Sequence, residues 1–248
     1  MGIFDYQNAN DDFIVGPGTD NISEELGLVT IVIDRSGSED EEDSGIRRID
    51  SINEAVPALV DGMSADDTIN GNTRLSIIQF NHTVDIIQNW DKPSNAEVPS
   101  FTAAGGTDLE SALSTAVELG RDFAHDIERV GGRTKVHNIV LVSDLFGYVS
   151  DETVSLLKKR DATNRTYLWV FGVPGYNKEI AKSLMPNPGR LFTTMGSFDE
   201  GIKQFMSMIL KITKAISMSA PGERPQLAEN PLARPDNVLA VPDLNKLI

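Results

Sequence analysis

The sequence predicts an α/β fold: a Rossmann-like, doubly wound, mostly parallel sheet with one antiparallel hairpin strand. Three observations carry this expectation. Apolar runs recur at Leu28 to Ile33, Leu75 to Phe80, Ile139 to Val142, Leu168 to Phe171 and, more weakly, Leu191 to Thr194; runs of this length without alternation belong to strands covered on both faces. Between them lie segments with apolar residues at steps of three and four, the spacing of amphipathic helices, so strands and helices alternate as βαβ units joined by right-handed crossovers. A further run, Val84 to Ile87, follows Phe80 across a short polar turn and is expected to be the antiparallel hairpin strand.

Taken in order, residues 1–25 have weak periodicity and include Gly16-Pro17-Gly18, and they are expected to form an extended leader. Residues 26–217 are expected to be the folded domain. Its first helix is marked by Ile46, Ile49, Ile52, Val56, Leu59, Val60 and Met63, with Pro57 inside the pattern, where loss of a backbone donor should kink the helix or end it early. Leu109, Ala112, Leu113, Ala116, Val117 and Phe123 mark a second helix, and Ile202, Phe205, Met206, Ile209 and Ile212 a third, which opens on a capping box at Ser197 and Glu200. Residues 218–248 hold Pro221, Pro225, Pro231, Pro235 and Pro242 with little apolar periodicity, so they read as a proline-rich arm, either disordered or bound to a partner.

Composition narrows the function classes. The chain has 248 residues and is 40% hydrophobic, enough for one well-buried core. Its formal charge of −15, from 37 acidic and 22 basic residues, repels phosphate backbones and anionic membranes. Nucleic acid and membrane are therefore not expected partners, whereas cations and basic protein surfaces are favoured. With no cysteine, disulfides, thiolate metal sites and cysteine nucleophiles are excluded. No basic region followed by an apolar core opens the chain, and no apolar run approaches the roughly 18 residues of a membrane span, so a cytoplasmic location is expected.

The sharpest local feature is Asp34-Arg35-Ser36-Gly37-Ser38, directly after the first apolar run. Ligands of open α/β sheets gather beyond the carboxyl ends of strands, where strand order reverses. A D-x-S-x-S loop there offers one carboxylate and two hydroxyls. Gly105-Gly106-Thr107-Asp108 brings a further hydroxyl, and Ser143-Asp144, after Ile139 to Val142, a further carboxylate. Oxygen donors without imidazole or sulfur suit Mg²⁺, which takes about six ligands and keeps several waters.

At these residues the sequence resembles the von Willebrand factor A family, whose metal-ion-dependent adhesion site reads D-x-S-x-S, then a Thr, then an Asp. The resemblance runs from about Leu26 to Ile216 and looks closest to stand-alone bacterial members of the tellurium-resistance-associated type. It implies a site of Asp34, Ser36, Ser38, Thr107 and Asp144 holding Mg²⁺, or Mn²⁺ or Ca²⁺. Ser36 and Ser38 would ligate directly, Thr107 in the ligand-bound form, and Asp34 and Asp144 through waters or by direct contact. One position is left for a partner's Asp or Glu, and hydroxyl-rich ligation leaves the ion hungry for such an anion.

Other readings stand beside these. Thr107 with Glu110 also forms a capping box. The acidic run Glu39 to Asp43, where the family turns quickly into its helix, is either a solvated loop or a device that concentrates cations near the site. Phe146 and Tyr148 face either a binding rim or the core. His82, His125 and His137 lie apart in sequence and are expected to be structural or surface residues.

For function, the expectation is a non-enzymatic, metal-dependent protein-binding module, adhesive or scaffolding, inside a multi-protein complex to which the arm adds contacts. The alternatives are a metal-independent docking subunit of a large assembly and a phosphoryl-transfer enzyme. Asp34 is similar in placement to the nucleophile of haloacid-dehalogenase-like phosphatases, but Ser36 stands where those enzymes need a second acid. No Gly-rich Lys-Ser/Thr loop is present either.

Overall fold

The computed structural model describes residues 25–219 and the backbone of the pair 239–240. All of the expected leader but Glu25, and most of the expected arm, therefore lie outside the described residues. The elements follow as β1 (Glu25–Asp34), β2 (Glu42–Asp43), β3 (Ile46–Arg47), α1 (Arg48–Ala65), α2 (Asp67–Asn72), β4 (Thr73–Phe80), β5 (Val84–Asp91), α3 (Leu109–Arg129), β6 (Arg133–Ser143), α4 (Asp151–Ala162), β7 (Thr166–Gly172), α5 (Lys178–Leu184), β8 (Leu191–Thr194), α6 (Phe198–Met218) and β9 (Leu239–Ala240).

One sheet has the order β5-β4-β1-β6-β7-β8-β9. The strands β4, β1, β6, β7 and β8 run parallel, and β5 returns antiparallel on β4. A short antiparallel pairing of β9 on β8 adds to the single hairpin strand expected from sequence. Successive side chains alternate across a strand, so Val29, Ile31 and Ile33 of β1 enter one apolar cluster and Val32 the other. The first cluster is closed by Ile52, Val56 and Met63 of α1 and by Ile202, Phe205 and Ile209 of α6. The second is closed by Leu109, Leu113 and Val117 of α3, with Leu157 of α4 and Leu184 of α5. Helices thus cover both faces, which is why the central strands read as continuous apolar runs rather than alternating ones.

Two expectations about α1 are corrected. Ile46 belongs to the two-residue strand β3, pairs with Asp43 and is 44% exposed, so the helix begins later, at Arg48. Nor does Pro57 end the helix. It is carried through to Ala65, because Val56, Leu59, Val60 and Met63 on either side are buried and hold the turn against the sheet; packing outweighs one lost backbone bond.

The sheet's winding fixes where a site can form. From β1 the chain steps to β4 on one side and then, after α3, to β6 on the other. Loops leaving the carboxyl ends of β1 and β6 therefore diverge and open a crevice between them.

Candidate functional site

Asp34 is the last residue of β1 and Ser143 the last of β6. Asp34 is fully buried, and both its oxygens are engaged: Ser36 N donates to Oδ1 at 2.9 Å and Ser143 Oγ to Oδ2 at 2.6 Å. Burial is the largest influence on this carboxyl and raises it to about 6, against the lowering effect of those donors. The hydroxyls of Ser36 and Ser38 lie 3.0 Å apart, and Ser38 Oγ donates to Asp144 Oδ2 at 2.6 Å. The other Asp144 oxygen accepts from Phe146 N at 3.0 Å. Asp34, Ser36, Ser38 and Asp144 thus form one connected group across the β1–β6 crevice.

Thr107 reaches the same place from a third loop. With Ser36, Ser38 and Asp144 it lines an open cleft of about 460 Å³, whose walls include Arg48, Gly105 and Phe146. Asp34 lies beneath the floor. The loops are locked by backbone bonds: Gly37 N donates to Gly105 O at 3.0 Å, and Ala104 N to Arg35 O at 2.8 Å. Gly105 has φ +81°, and a Cβ there would meet His82 Nδ1 at 2.5 Å, so the position needs glycine. The expected N-cap role of Thr107 is corrected. The cap of α3 is Asp108, which accepts from Ser111 N at 3.1 Å, while Glu110 reaches across to Ser150 N, Ser150 Oγ and Thr153 Oγ1 at the start of α4. Thr107 is left facing the cleft.

Beyond Asp144 the chain turns sharply. Leu145 adopts φ 59°, and its amide donates to Ser143 Oγ at 2.9 Å. That twist buries Leu145 and turns Phe146 and Tyr148 outward, 60% and 74% exposed, so neither faces the core, and Phe146 lines the cleft.

The acidic run is the solvated loop of one reading at Asp40, Glu41 and Glu42, which are exposed, but it is also tied to the body. Asp40 pairs with Arg47 at 3.1 Å, Glu41 with Arg48 at 2.8 Å, and Asp43 Oδ2 accepts from Phe198 N at 2.7 Å, at the first residue of α6. An acid at a helix N-terminus satisfies a free donor and the helix dipole together. Glu39 departs furthest: it is fully buried, and neither carboxylate oxygen has a hydrogen-bond partner among the described residues. Burial, then the charges of Asp34 and Asp144, push its carboxyl up to about 9. Within a five-residue acidic stretch no sequence signal separates Glu39 from its neighbours; the turn Gly37–Asp40, which rotates this one side chain inward, is a tertiary effect.

No histidine lines the cleft, although His82 packs behind its wall at Gly105. His82 and His125 are exposed, while His137 lies inside β6, buried, with Nε2 2.8 Å from Thr30 Oγ1.

The donors gathered here fit a hard divalent cation. They are three hydroxyls and two carboxylates, all oxygen, from three loops at one crevice. Among the described residues no group of three or more His, Cys, Asp or Glu side chains is arranged to hold a metal by itself, so the hydroxyls would be needed.

The family model described as the von Willebrand factor type A domain matches residues 29–147, a span that contains all five candidate residues. Over residues 29–147 the chain is similar to a von Willebrand factor A domain. Solved structures similar to it include a von Willebrand factor type A protein from Catenulispora acidiphila, 13% identical at a TM-score of 0.53, covering 77% of this chain and 43% of that one. Proximal thread matrix protein 1 of the mussel byssus is 17% identical at a TM-score of 0.53, covering 78% of this chain and 48% of that one. The pilus adhesin SpaC of Lactobacillus rhamnosus GG is 11% identical at a TM-score of 0.56, covering 77% and 31%. The chain thus spans a third to a half of the length of these structures, and at such identities the likeness is one of fold. A comparison with the curated proteins finds no match. The fold extends beyond the matched span, through β7, β8 and α6 to Met218.

Proposed function

We propose that this domain binds a divalent cation, Mg²⁺ or alternatively Mn²⁺ or Ca²⁺, through Ser36, Ser38, Thr107, Asp34 and Asp144, and uses it to take a carboxylate from a partner protein within a multi-protein assembly. The observation that carries the reading is the connected group running from Asp34 through Ser36 and Ser38 to Asp144, with Thr107 on the same cleft. When bound, the ion supplies an under-neutralised positive centre that an outside acid can complete. Asp34 orients the loop by holding Ser36 N and tying β1 to β6 through Ser143. Ser36 and Ser38 present their hydroxyls upward, and Asp144 adds charge and anchors the turn that exposes Phe146 and Tyr148. Those two aromatic side chains supply apolar contact beside the acid-binding point, the kind of anchor that interfaces favour.

Similarity to a pilus adhesin and to a byssal matrix protein supports a role in protein association. The proposed role is binding rather than a reaction, since Asp34, the one candidate nucleophile, is sealed and has both oxygens occupied. A cytoplasmic location and a kinship to tellurium-resistance-associated members remain part of the proposal; among the described residues no helix is long and apolar enough to cross a membrane.

The test is titration of the metal-stripped chain with MgCl₂ and MnCl₂ by calorimetry, alongside capture of partners in Mg²⁺ and in chelator. We expect saturable binding by the wild type, its loss in the double variant Ser36→Ala/Ser38→Ala, and partner release both in that variant and in chelator. Partners retained in both would establish the second reading, a metal-independent docking subunit, which the exposed Phe146 and Tyr148 favour.

A further inference from the structure

Three acids crowd beneath one cleft, and the reading above uses two of them. The third is Glu39. A carboxyl group sealed from water with no hydrogen-bond partner is a costly thing for a protein interior to hold, and an apolar side chain of similar volume would ordinarily serve better. Exposure was open to this stretch of chain, since Asp40, Glu41 and Glu42 all reach solvent. Glu39 alone is turned inward, by a turn whose first bond runs from its own amide to Ser36 O at 3.0 Å. The same turn holds Ser38, which with Ser36 lines the cleft, whereas Glu39 does not line it and lies near enough to Asp34 and Asp144 for their charges to bear on it.

Among the described residues Arg48 is the positive group that bears on it, and its effect is outweighed by burial and by the charges of Asp34 and Asp144. The nearest guanidinium, that of Arg48, is engaged by Glu41 at 2.8 Å and by the carbonyls of Ser38 and Pro174 at 3.3 Å each. The other charges that bear on Glu39 are Asp34, Asp144 and Glu41, all negative. Both its oxygens lack a hydrogen-bond partner, so what would satisfy Glu39 is a cation, or a cation's water, placed among the hydroxyls above it.

We infer that Glu39 is a further residue of the cation site: a third carboxylate behind Asp34 and Asp144, whose charge the bound ion offsets. The inference rests on the proposed metal-binding reading. Glu39 is a positioning residue, acting from behind the ligands rather than as one of them, because the acids alone form no ligand group. Its addition makes the site more strongly attractive to a divalent ion than hydroxyls and two carboxylates would be, and makes the domain depend on that ion for stability. The ion-free protein keeps in its core a carboxyl group whose two oxygens have no hydrogen-bond partner, and the loaded protein gives that group a counter-charge.

The experiment uses the full chain, stripped with chelator and titrated with MgCl₂ and MnCl₂, with melting temperatures measured in both states. Glu39→Gln keeps the shape and removes the charge; Glu39→Leu also removes the buried polar atoms. We expect each variant to lose about ten- to a hundredfold in metal affinity, as residues behind a metal's ligands do. Glu39→Leu should melt above the wild type without the ion and gain less on adding it. Wild-type affinity in both variants, whatever their melting temperatures, overturns the inference and leaves Glu39 a buried acid outside the site. If Glu39→Leu does not fold, the isosteric Glu39→Gln decides by its affinity alone. A wild-type chain that binds neither ion overturns the proposed function as well, whereas a wild type that binds equally with its Glu39 variants overturns this inference only.

Discussion

Asp34 and His137 show how single buried polar groups are tolerated in this sheet, and by opposite means. Asp34 is held ionisable by two donors, Ser36 N and Ser143 Oγ. His137 is held neutral: burial, with a smaller push from Arg160, lowers its pKa from 6.5 to about 3, while Thr30 Oγ1 meets Nε2 and Nδ1 has no partner among the described residues. The ring packs edge-on against Trp90, with centroids 5.5 Å apart. Because the folded pKa lies below the unfolded one, the unfolded chain binds the extra proton between the two values. The stability is therefore fully present above pH 6.5 and is lost as pH falls toward 3, by at most about 1.4 kcal/mol per pH unit. Melting temperatures of metal-free protein from pH 7 to pH 4 should fall less steeply in His137→Gln than in wild type. Equal slopes would assign the acid sensitivity to other groups. At the cleft, Ser143→Ala should cost about 1–3 kcal/mol, because it leaves a sealed Asp34 oxygen without a donor; urea unfolding of the variant measures it, and a loss under a few tenths would mean that water replaces the hydroxyl.

At the scale of elements, the fold rests on close approaches that only small residues allow. Gly120 of α3 lies against the His137 ring, and a Cβ there would fall well inside contact distance of the imidazole. The ring cannot retreat, because it is bonded to Thr30 and flanked by Trp90, whose Nε1 donates to Leu119 O at 3.1 Å. Gly120→Ala should therefore destabilise by about 1–3 kcal/mol through overpacking, although alanine is the better helix former by about 1 kcal/mol. A stabilised variant in chemical denaturation would show that α3 can shift as a body.

This scale is also where the sequence was most and least legible. Strands β1, β4, β6 and β7 and helices α1, α3 and α6 announce themselves, because each contributes a long apolar face to one of the two clusters. Helix α4 does not: only Thr153, Val154 and Leu157 of its twelve residues are buried, too few to print a period of 3.6. Helix α5 has seven residues, fewer than the period needs to show itself. At the site, the five oxygen donors were readable because each sits at a strand end or before a helix, places fixed by topology. The inward turn of Glu39 and the capping of α3 by Asp108 rather than Thr107 were not, since both depend on loops from different parts of the chain meeting.

For the whole molecule, the question is where the cooperative unit ends. Met218 closes α6, and its C-terminal carbonyls are already satisfied within the body: Lys135 Nζ of β6 donates to Ile216 O, Ser217 O and Ser219 O at 2.9, 3.1 and 2.9 Å. A cation there also opposes the negative end of the helix dipole. Beyond this point the described contribution to the sheet is the ladder of Thr193 with Ala240 and Thr194 with Leu239, laid antiparallel on β8. Two ladder positions contribute about 1 kcal/mol net, which for a domain near 200 residues corresponds to about 2–4 °C in melting temperature. A chain ending at Ser219 should therefore melt within a few degrees of the full chain and bind metal with the same affinity, because no candidate ligand lies beyond Asp144. What it should lose is protection of an edge. With β9 gone, β8 offers unpaired backbone groups, so size-exclusion chromatography should show more self-association at high concentration. A fall in melting temperature of more than about 10 °C would instead place the C-terminal segment inside the cooperative core.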